Sequence, residues 1–199
     1  MSPIPNEQQC LDLLKAQGAT DRVMKHVCTV TRLAVAMARS CGADTDLVRA
    51  GALLHDIGRS RTHGIQHGVV GEDIARSLSL PEPLVLIIRK HVGAGILPGE
   101  AAALGLPDRD YIPSTVEEKI VCHADNLVDD DRYISSQASY RDFVRKGLYD
   151  AGGRMLDMHE ELSGLCGRDI DDIVQELTSR AERGPCSKYL DMRIDKWSE

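Results

Sequence analysis

Aromatic residues are scarce in this chain: they make up 4% of its 199 residues, with one Trp and one Phe among them. Alternation of β-branched with polar residues is also scarce, whereas Leu, Ala, Met, Glu and Arg recur at spacings of three and four. Strands favour aromatic and β-branched residues, and helices favour the residues that recur here. The sequence therefore predicts an all-α fold.

The chain also lacks a basic cluster and any long apolar run. Its net charge is -7, and no group of Lys and Arg is interleaved with aromatics, which argues against a long nucleic acid as ligand. The apolar runs are far shorter than a membrane span, and the polar residues 1–9 lack the apolar core of a signal peptide. We expect a cytoplasmic protein that does not bind a membrane.

Cys-x-x-Cys pairs are absent as well. At this length a chain buries a sizeable core without covalent cross-links. Since several cysteines fall within apolar helical patterns, we expect all six to be reduced thiols: Cys10, Cys28, Cys41, Cys122, Cys166 and Cys186.

Apolar periodicity predicts helices over 6–17, 21–40, 44–54, 67–78, 81–91, 114–127, 136–151 and 155–183. Ser114, with Glu117 three residues later, predicts a capping box. Residues 93–113 lack strong periodicity, which is typical of a lid or substrate loop and equally of a solvated connector.

The predicted helices divide the chain into three parts. An N-terminal helix (1–19) is expected to pack on a metal-binding core (20–131), which a helical extension and tail (132–199) follow. Gly184-Pro185 should end the last helix, and Trp197 should dock the tail on the domain.

His55 followed by Asp56 is the strongest functional feature. The pair stands at the end of an apolar helical run, with Gly58 two residues later. An imidazole nitrogen and a carboxylate oxygen suit a divalent cation, and we expect the glycine to let the backbone leave the helix.

Two further residues fit the same cation. His26 falls near the buried stripe of the second helix, where a histidine is more often a core residue than a ligand. Asp125 lies on the apolar side of a later helix, where a carboxylate needs a counter-charge. Nitrogen and oxygen ligation suits Mn, Fe, Co, Ni, Mg or Zn and leaves positions for water, so the site is suited to hydrolysis.

Together, His26, His55-Asp56 and Asp125 resemble the H...HD...D signature of the HD-domain superfamily of metal-dependent phosphohydrolases. His55-Asp56-Ile57-Gly58 also spells its HDIG subgroup, and the resemblance covers residues 20–130. It implies a helical HD domain that cleaves a phosphoester or phosphoanhydride bond through metal-activated water. The implied substrate is a nucleotide or another small phosphorylated metabolite, and Asp56 is implied to be catalytic.

Two more histidines resemble the ligands of dinuclear HD proteins. His67, with Gly71, matches their His-x-x-x-Gly segment, and His91 matches their downstream histidine. The resemblance then implies a second metal on these residues, with Asp56 as a bridge. Helix capping by His67 and a surface position for His91 are the alternatives, so one ion and two ions both remain open.

Arg59 stands where family members carry a basic residue, and the resemblance implies that it contacts the substrate phosphate during catalysis. Arg61, His63 and Lys90 are secondary candidates for the same pocket. A solvated loop position is the alternative for Arg59.

Two other functions compete with hydrolysis. A nucleotide-sensing module would keep the same ligands without turnover. An oxygenase with mixed-valent iron usually needs more ligands than can be assigned. The sequence leaves a monomer and a homo-oligomer both open.

Overall fold

A computed structural model describes residues 3–179 and Cys186. Within residues 3–179 it confirms the all-α class, with ten α-helices, one 3-10 helix and one small hairpin. The helices are α1 (Glu7–Ala16), α2 (Asp21–Cys41), α3 (Thr45–Leu54), a 3-10 helix (Ile57–Ser60), α4 (His67–Ser77), α5 (Glu82–Lys90), α6 (Pro98–Ala103), α7 (Val116–Asn126), α8 (Ser136–Arg145), α9 (Tyr149–Cys166) and α10 (Ile170–Ser179). The antiparallel hairpin pairs β1 (Val128–Asp129) with β2 (Arg132–Tyr133).

Helix α2 connects two buried clusters. Val30, Leu33 and Met37 pack in the first cluster with side chains of α3, α7, α9 and α10. Val27, one turn earlier, packs in the second cluster with α1, α3, α4 and α5. Apolar residues three and four apart thus bury two faces of one long helix, which fixes the position of His26 between them.

The start of α7 differs from its prediction by one residue. Thr115, not Ser114, caps the helix, and its Oγ1 accepts a hydrogen bond from the Glu118 backbone N–H at 3.1 Å. The side chain of Glu118 reaches back to the Thr115 N–H and also accepts from the Ser114 hydroxyl at 3.0 Å. Two adjacent hydroxyl residues made the register ambiguous in the sequence.

Residues 93–113 form a folded segment and not a solvated connector. They contain α6 and a small buried cluster that includes Ile96, Leu106 and Tyr111. Ion pairs join Arg109 to Glu72 at 2.8 Å and Arg154 to Glu100 at 2.8 Å, which fasten both ends of the segment to the domain.

The C-terminal helices break at other positions than predicted. Gly147 and Gly167 adopt positive φ angles of 73° and 68° and end α8 and α9. Gly152, where a break was expected, lies inside α9, and a Cβ there would come within 3.1 Å of Tyr140 and Phe143. It therefore serves close packing of α8 on α9. The predicted stop at Gly184-Pro185 and the docking of Trp197 lie outside the described residues.

The prediction of six reduced cysteines is wrong for four of them. Disulfides join Cys28 to Cys186 and Cys41 to Cys166, with Cα atoms 5.5 and 4.0 Å apart. The partners are 158 and 125 residues apart in sequence, so their proximity depends on the tertiary fold and not on local spacing. Of the helices in residues 3–179, none has the apolar length that a membrane crossing requires.

We expect denatured, unreduced protein to take up two equivalents of iodoacetamide, at Cys10 and Cys122, and reduced protein to take up six. Intact mass and peptide mapping measure the uptake. The Cys41→Ser variant should gain one label, at Cys166. Uptake of six labels without reduction would show that both pairs are open thiols.

Candidate metal centre

The fold brings the six predicted ligands together from five parts of the chain. His55 and Asp56 lie in the turn between α3 and the 3-10 helix, and the others come from α2, the start of α4, the end of α5 and the last turn of α7: His26, His67, His91 and Asp125.

The first group of ligand atoms surrounds Asp125. Its Oδ1 lies 2.9 Å from Nε2 of His26 and 3.4 Å from Nε2 of His55. Oδ2 of Asp56 faces the same group, 3.8 Å from His26 and 3.7 Å from His55. Two imidazoles and two carboxylates can thus share one cation.

The second group faces the other oxygen of Asp56. Its Oδ1 lies 3.3 Å from Nε2 of His67 and 3.5 Å from Nε2 of His91. Because the two oxygens of one carboxylate face different histidine pairs, Asp56 is placed to bridge two cations.

Each of the four imidazoles is oriented by a backbone carbonyl. Since a carbonyl only accepts, Nδ1 carries a hydrogen in every ring, and Nε2 of each neutral ring is left with its lone pair. The acceptors, at 2.7 to 2.8 Å, are Asp130 for His26, Ala52 for His55, Gly64 for His67 and Ile88 for His91.

With both rings neutral, this tautomer makes the second group repulsive. Nε2 of His67 and Nε2 of His91 are only 2.9 Å apart, so when both Nδ1 atoms donate and neither ring is protonated, two lone pairs face each other. In addition, His55 Nε2 and Asp56 Oδ1 are buried atoms without a hydrogen-bond partner in the described part of the chain. A divalent ion in each group would satisfy these atoms, so the donor set fits two metals.

The charges of the two groups differ. Burial lowers the pKa of His26, but the hydrogen bond and charge of Asp125 outweigh it and raise that pKa to about 9. Burial and the neighbouring His91 lower the pKa of His67 to about 4. Burial opposes ionisation of Asp56 and Asp125, yet His55 and the other imidazoles hold the pKa of both carboxyls below its usual range. A cation in the first group therefore replaces a proton on His26.

The raised pKa of His26 gives a pH-dependent stability after chelation. A pKa above the unfolded value of 6.5 stabilises the fold at low pH, and this contribution is lost as pH rises through about 9. From pH 7 to pH 10, we expect chelated protein to lose roughly 2 to 3 kcal/mol of unfolding free energy through this group. Urea unfolding measures it, with His26→Gln as the reference. Equal pH dependence in both proteins would contradict the ion pair.

An open cleft of about 370 Å³ lies over the first group. Its lining consists of Thr20, Arg22, Val23, His26, Asp56, Arg59, His63 and Asp130. Nε of Arg59 donates to Oδ2 of Asp56 at 2.6 Å, which holds the guanidinium beside the centre.

Two of the predicted substrate contacts do not line this cleft. Lys90 is buried, and its Nζ pairs with Glu118 at 3.2 Å and Asp110 at 2.9 Å. Arg61 is exposed and donates to Gln17 at 3.3 Å.

Sequence reasoning missed Arg22 and Asp130. Arg22 stands one helical turn before His26, so helical spacing was a signal for it. Asp130 reaches the cleft through the turn between β1 and β2, a hairpin that the pattern of residues did not predict.

Comparison with known proteins decides the family. The family model described as HD domain matches residues 23–129, more than half of the chain. The chain belongs to the HD domain family. This membership confirms the resemblance found in the sequence.

Relatives carry several different names. A tRNA (cytidine(56)-2'-O)-methyltransferase of Picrophilus torridus is 48% identical over 174 residues, which cover 87% of this chain and 51% of that protein. An uncharacterized protein of Methanocaldococcus jannaschii is 50% identical over 126 residues, 61% of this chain and 74% of the relative. A ribonuclease Y of Chloroflexus aurantiacus is 32% identical over 125 residues, 58% of this chain and 21% of the relative. The chain thus spans about half the length of the methyltransferase that it matches.

Among solved structures, the HD domain of the Listeria monocytogenes phosphodiesterase PgpH, in complex with cyclic-di-AMP, superposes with a TM-score of 0.59. The match covers 86% of this chain and 99% of that domain at 20% identity. It shows a shared fold.

Proposed function

We propose that the chain is a metal-dependent phosphohydrolase that cleaves phosphoester or phosphoanhydride bonds of nucleotides. The observation that carries the proposal is the pair of facing Nε2 atoms of His67 and His91, 2.9 Å apart, beside an Asp56 carboxylate shared with a second histidine pair. Such a donor set suits two divalent ions, because two neutral rings in this tautomer aim both lone pairs at one place. Membership of the HD domain family supports the same reaction class.

In this proposal, the Asp and His residues of the centre bind metal and Arg59 binds phosphate. Bound metal ions supply a Lewis acid for the phosphoryl group and lower the pKa of water. Asp56, Asp125 and the four histidines would hold them, and the carbonyls behind the rings fix the direction of each Nε2 atom. Arg59 uses Nε for Asp56, which leaves its terminal amino groups for two phosphate oxygens.

The test measures the metal content and the hydrolytic activity of one protein preparation. Protein purified without chelator should contain up to two divalent ions per chain. It should hydrolyse bis(p-nitrophenyl) phosphate or a member of a nucleotide panel with at least one of Mn²⁺, Fe²⁺, Co²⁺, Ni²⁺, Mg²⁺ and Zn²⁺. Chelation should remove the activity and metal should restore it. No turnover of any substrate with any of these metals would overturn the proposal. Stoichiometric nucleotide binding without product would favour the sensing module.

Methyl transfer to tRNA is a second candidate, favoured by the name of the Picrophilus torridus relative. That protein is about twice as long as the segment matched here, and the matched segment contains the His and Asp cluster. We therefore expect no methyl incorporation when the chain is incubated with tRNA and S-adenosylmethionine. Incorporation would assign the methyltransferase reaction to the matched segment.

A further inference from the structure

The cleft over the centre offers little surface for a base. Of the residues that line it, only Val23 has an aliphatic side chain, and none is Phe, Tyr or Trp. Proteins that read bases in flexible nucleotides usually stack them on aromatic rings. Besides the predicted metal ligand His26, the one ring in the described lining is the exposed imidazole of His63, so the cleft has no large stacking platform.

The same cleft offers positive charge at a second place besides Arg59. Arg22 lies in the first turn of α2, and its side chain is 81% exposed. Its Nε donates to Oδ1 of Asp130 at 2.8 Å. This contact holds the guanidinium at the cleft mouth and leaves the terminal amino groups for an anion.

Asp130 ties this arginine to the metal centre. The residue adopts a positive φ of 58° in the turn between β1 and β2, and its carbonyl accepts from Nδ1 of His26. One residue thus orients a predicted metal ligand through its backbone and Arg22 through its side chain.

The N-terminus of α2 lies at the same wall, with Asp21 in its first turn. Thr20 caps this 21-residue helix and lines the cleft together with Arg22. A helix N-terminus favours an anion, and here it is combined with an arginine. His63, from the loop before α4, also lines the cleft.

We infer that the cleft recognises two successive phosphates of its substrate and does not read the bases. The scissile phosphodiester lies at the centre beside Arg59, and the neighbouring phosphate lies at Arg22 and the N-terminus of α2. Water adds across the scissile P–O bond, which gives a phosphomonoester and a free hydroxyl that takes the proton. The inference rests on the proposed hydrolase function and narrows its substrate to short nucleotide chains with more than one phosphate.

The experiment compares dinucleotides with and without a 5′-phosphate. For the full chain loaded with the most active metal, kcat/KM should be roughly 10- to 100-fold higher for pApA than for ApA, as expected for a charged hydrogen-bonded contact. The homodinucleotides pApA, pUpU, pGpG and pCpC should agree within about threefold, because contacts to phosphate do not distinguish the bases. Cyclic dinucleotides and oligoribonucleotides of increasing length, tested in parallel, show which source supplies the two phosphates.

In Arg22→Gln, kcat/KM for pApA should fall to about the value for ApA, so that the ratio of the two is near one. The change should lie in KM for pApA and not in kcat. Lys25→Ala, an exposed basic residue on the same helix that does not line the cleft, should keep the wild-type ratio. A wild-type ratio in Arg22→Gln, or strong discrimination among the four bases, would overturn the inference. Failure of the hydrolase proposal is distinct, since bis(p-nitrophenyl) phosphate and all dinucleotides would then remain uncleaved.

Discussion

Asp56→Asn should lower kcat/KM by about 1000-fold or more, equivalent to about 4 kcal/mol of transition-state stabilisation. It should also reduce the metal content from two ions per chain to one or none. The physical reason is that Oδ1 and Oδ2 face different histidine pairs, so one substitution removes a negative ligand from both groups. Metal analysis after gel filtration and assay of the same fraction measure both effects.

The control for this variant is Asp129→Asn, an exposed carboxylate close in sequence to Asp125. It should retain wild-type metal content and activity, because Asp129 does not line the cleft. Circular dichroism should show the helical content of Asp56→Asn preserved, since an amide has the shape of the carboxylate. Full metal content in Asp56→Asn would show that the carboxylate does not bridge.

The choice between one ion and two illustrates what the sequence left open. Helix capping was the alternative for His67, but the structure shows no capping contact from a side chain at the start of α4. The ring instead donates through Nδ1 to Gly64 and aims Nε2 at His91. A histidine at a helix start can either cap the helix or bind a metal. The direction of its ring separates the two roles, and the sequence does not contain that direction.

Features that depend on local spacing were predictable. The apolar stripe of α2 and the break at His55-Asp56 follow from helical periodicity and lie within one element. Features that depend on the approach of distant segments were not: the disulfide between Cys28 and Cys186, and the ion pair between Arg22 and Asp130. Their partners are more than 100 residues apart, and the tertiary fold alone brings them together.

Gly58 was identified from local sequence, but its role depends on the approach of another segment. The sequence singled it out as a residue that lets the backbone leave the helix, and that reason is wrong, because it is not among the glycines with positive φ in the described residues. Its role is close approach. A Cβ at this position would lie 2.0 Å from the His67 carbonyl oxygen and 2.7 Å from the Gly71 nitrogen. The 3-10 helix therefore packs against the first turn of α4, which carries His67 toward Asp56.

Gly58→Ala should destabilise the fold by roughly 3 kcal/mol, or about 10 °C in Tm, and remove the second metal. The contacts that the new methyl group meets are backbone atoms, so α4 must shift as a unit and take the His67 ring away from Asp56. Thermal unfolding and metal analysis measure the two effects. Gly64→Ala is the matched control: Gly64 lies exposed in the loop between the 3-10 helix and α4, and its Cβ would have nothing nearer than the Thr62 hydroxyl at 3.9 Å. A Gly58→Ala protein with wild-type Tm and two bound ions would show that the close packing of these two elements does not hold the second group together.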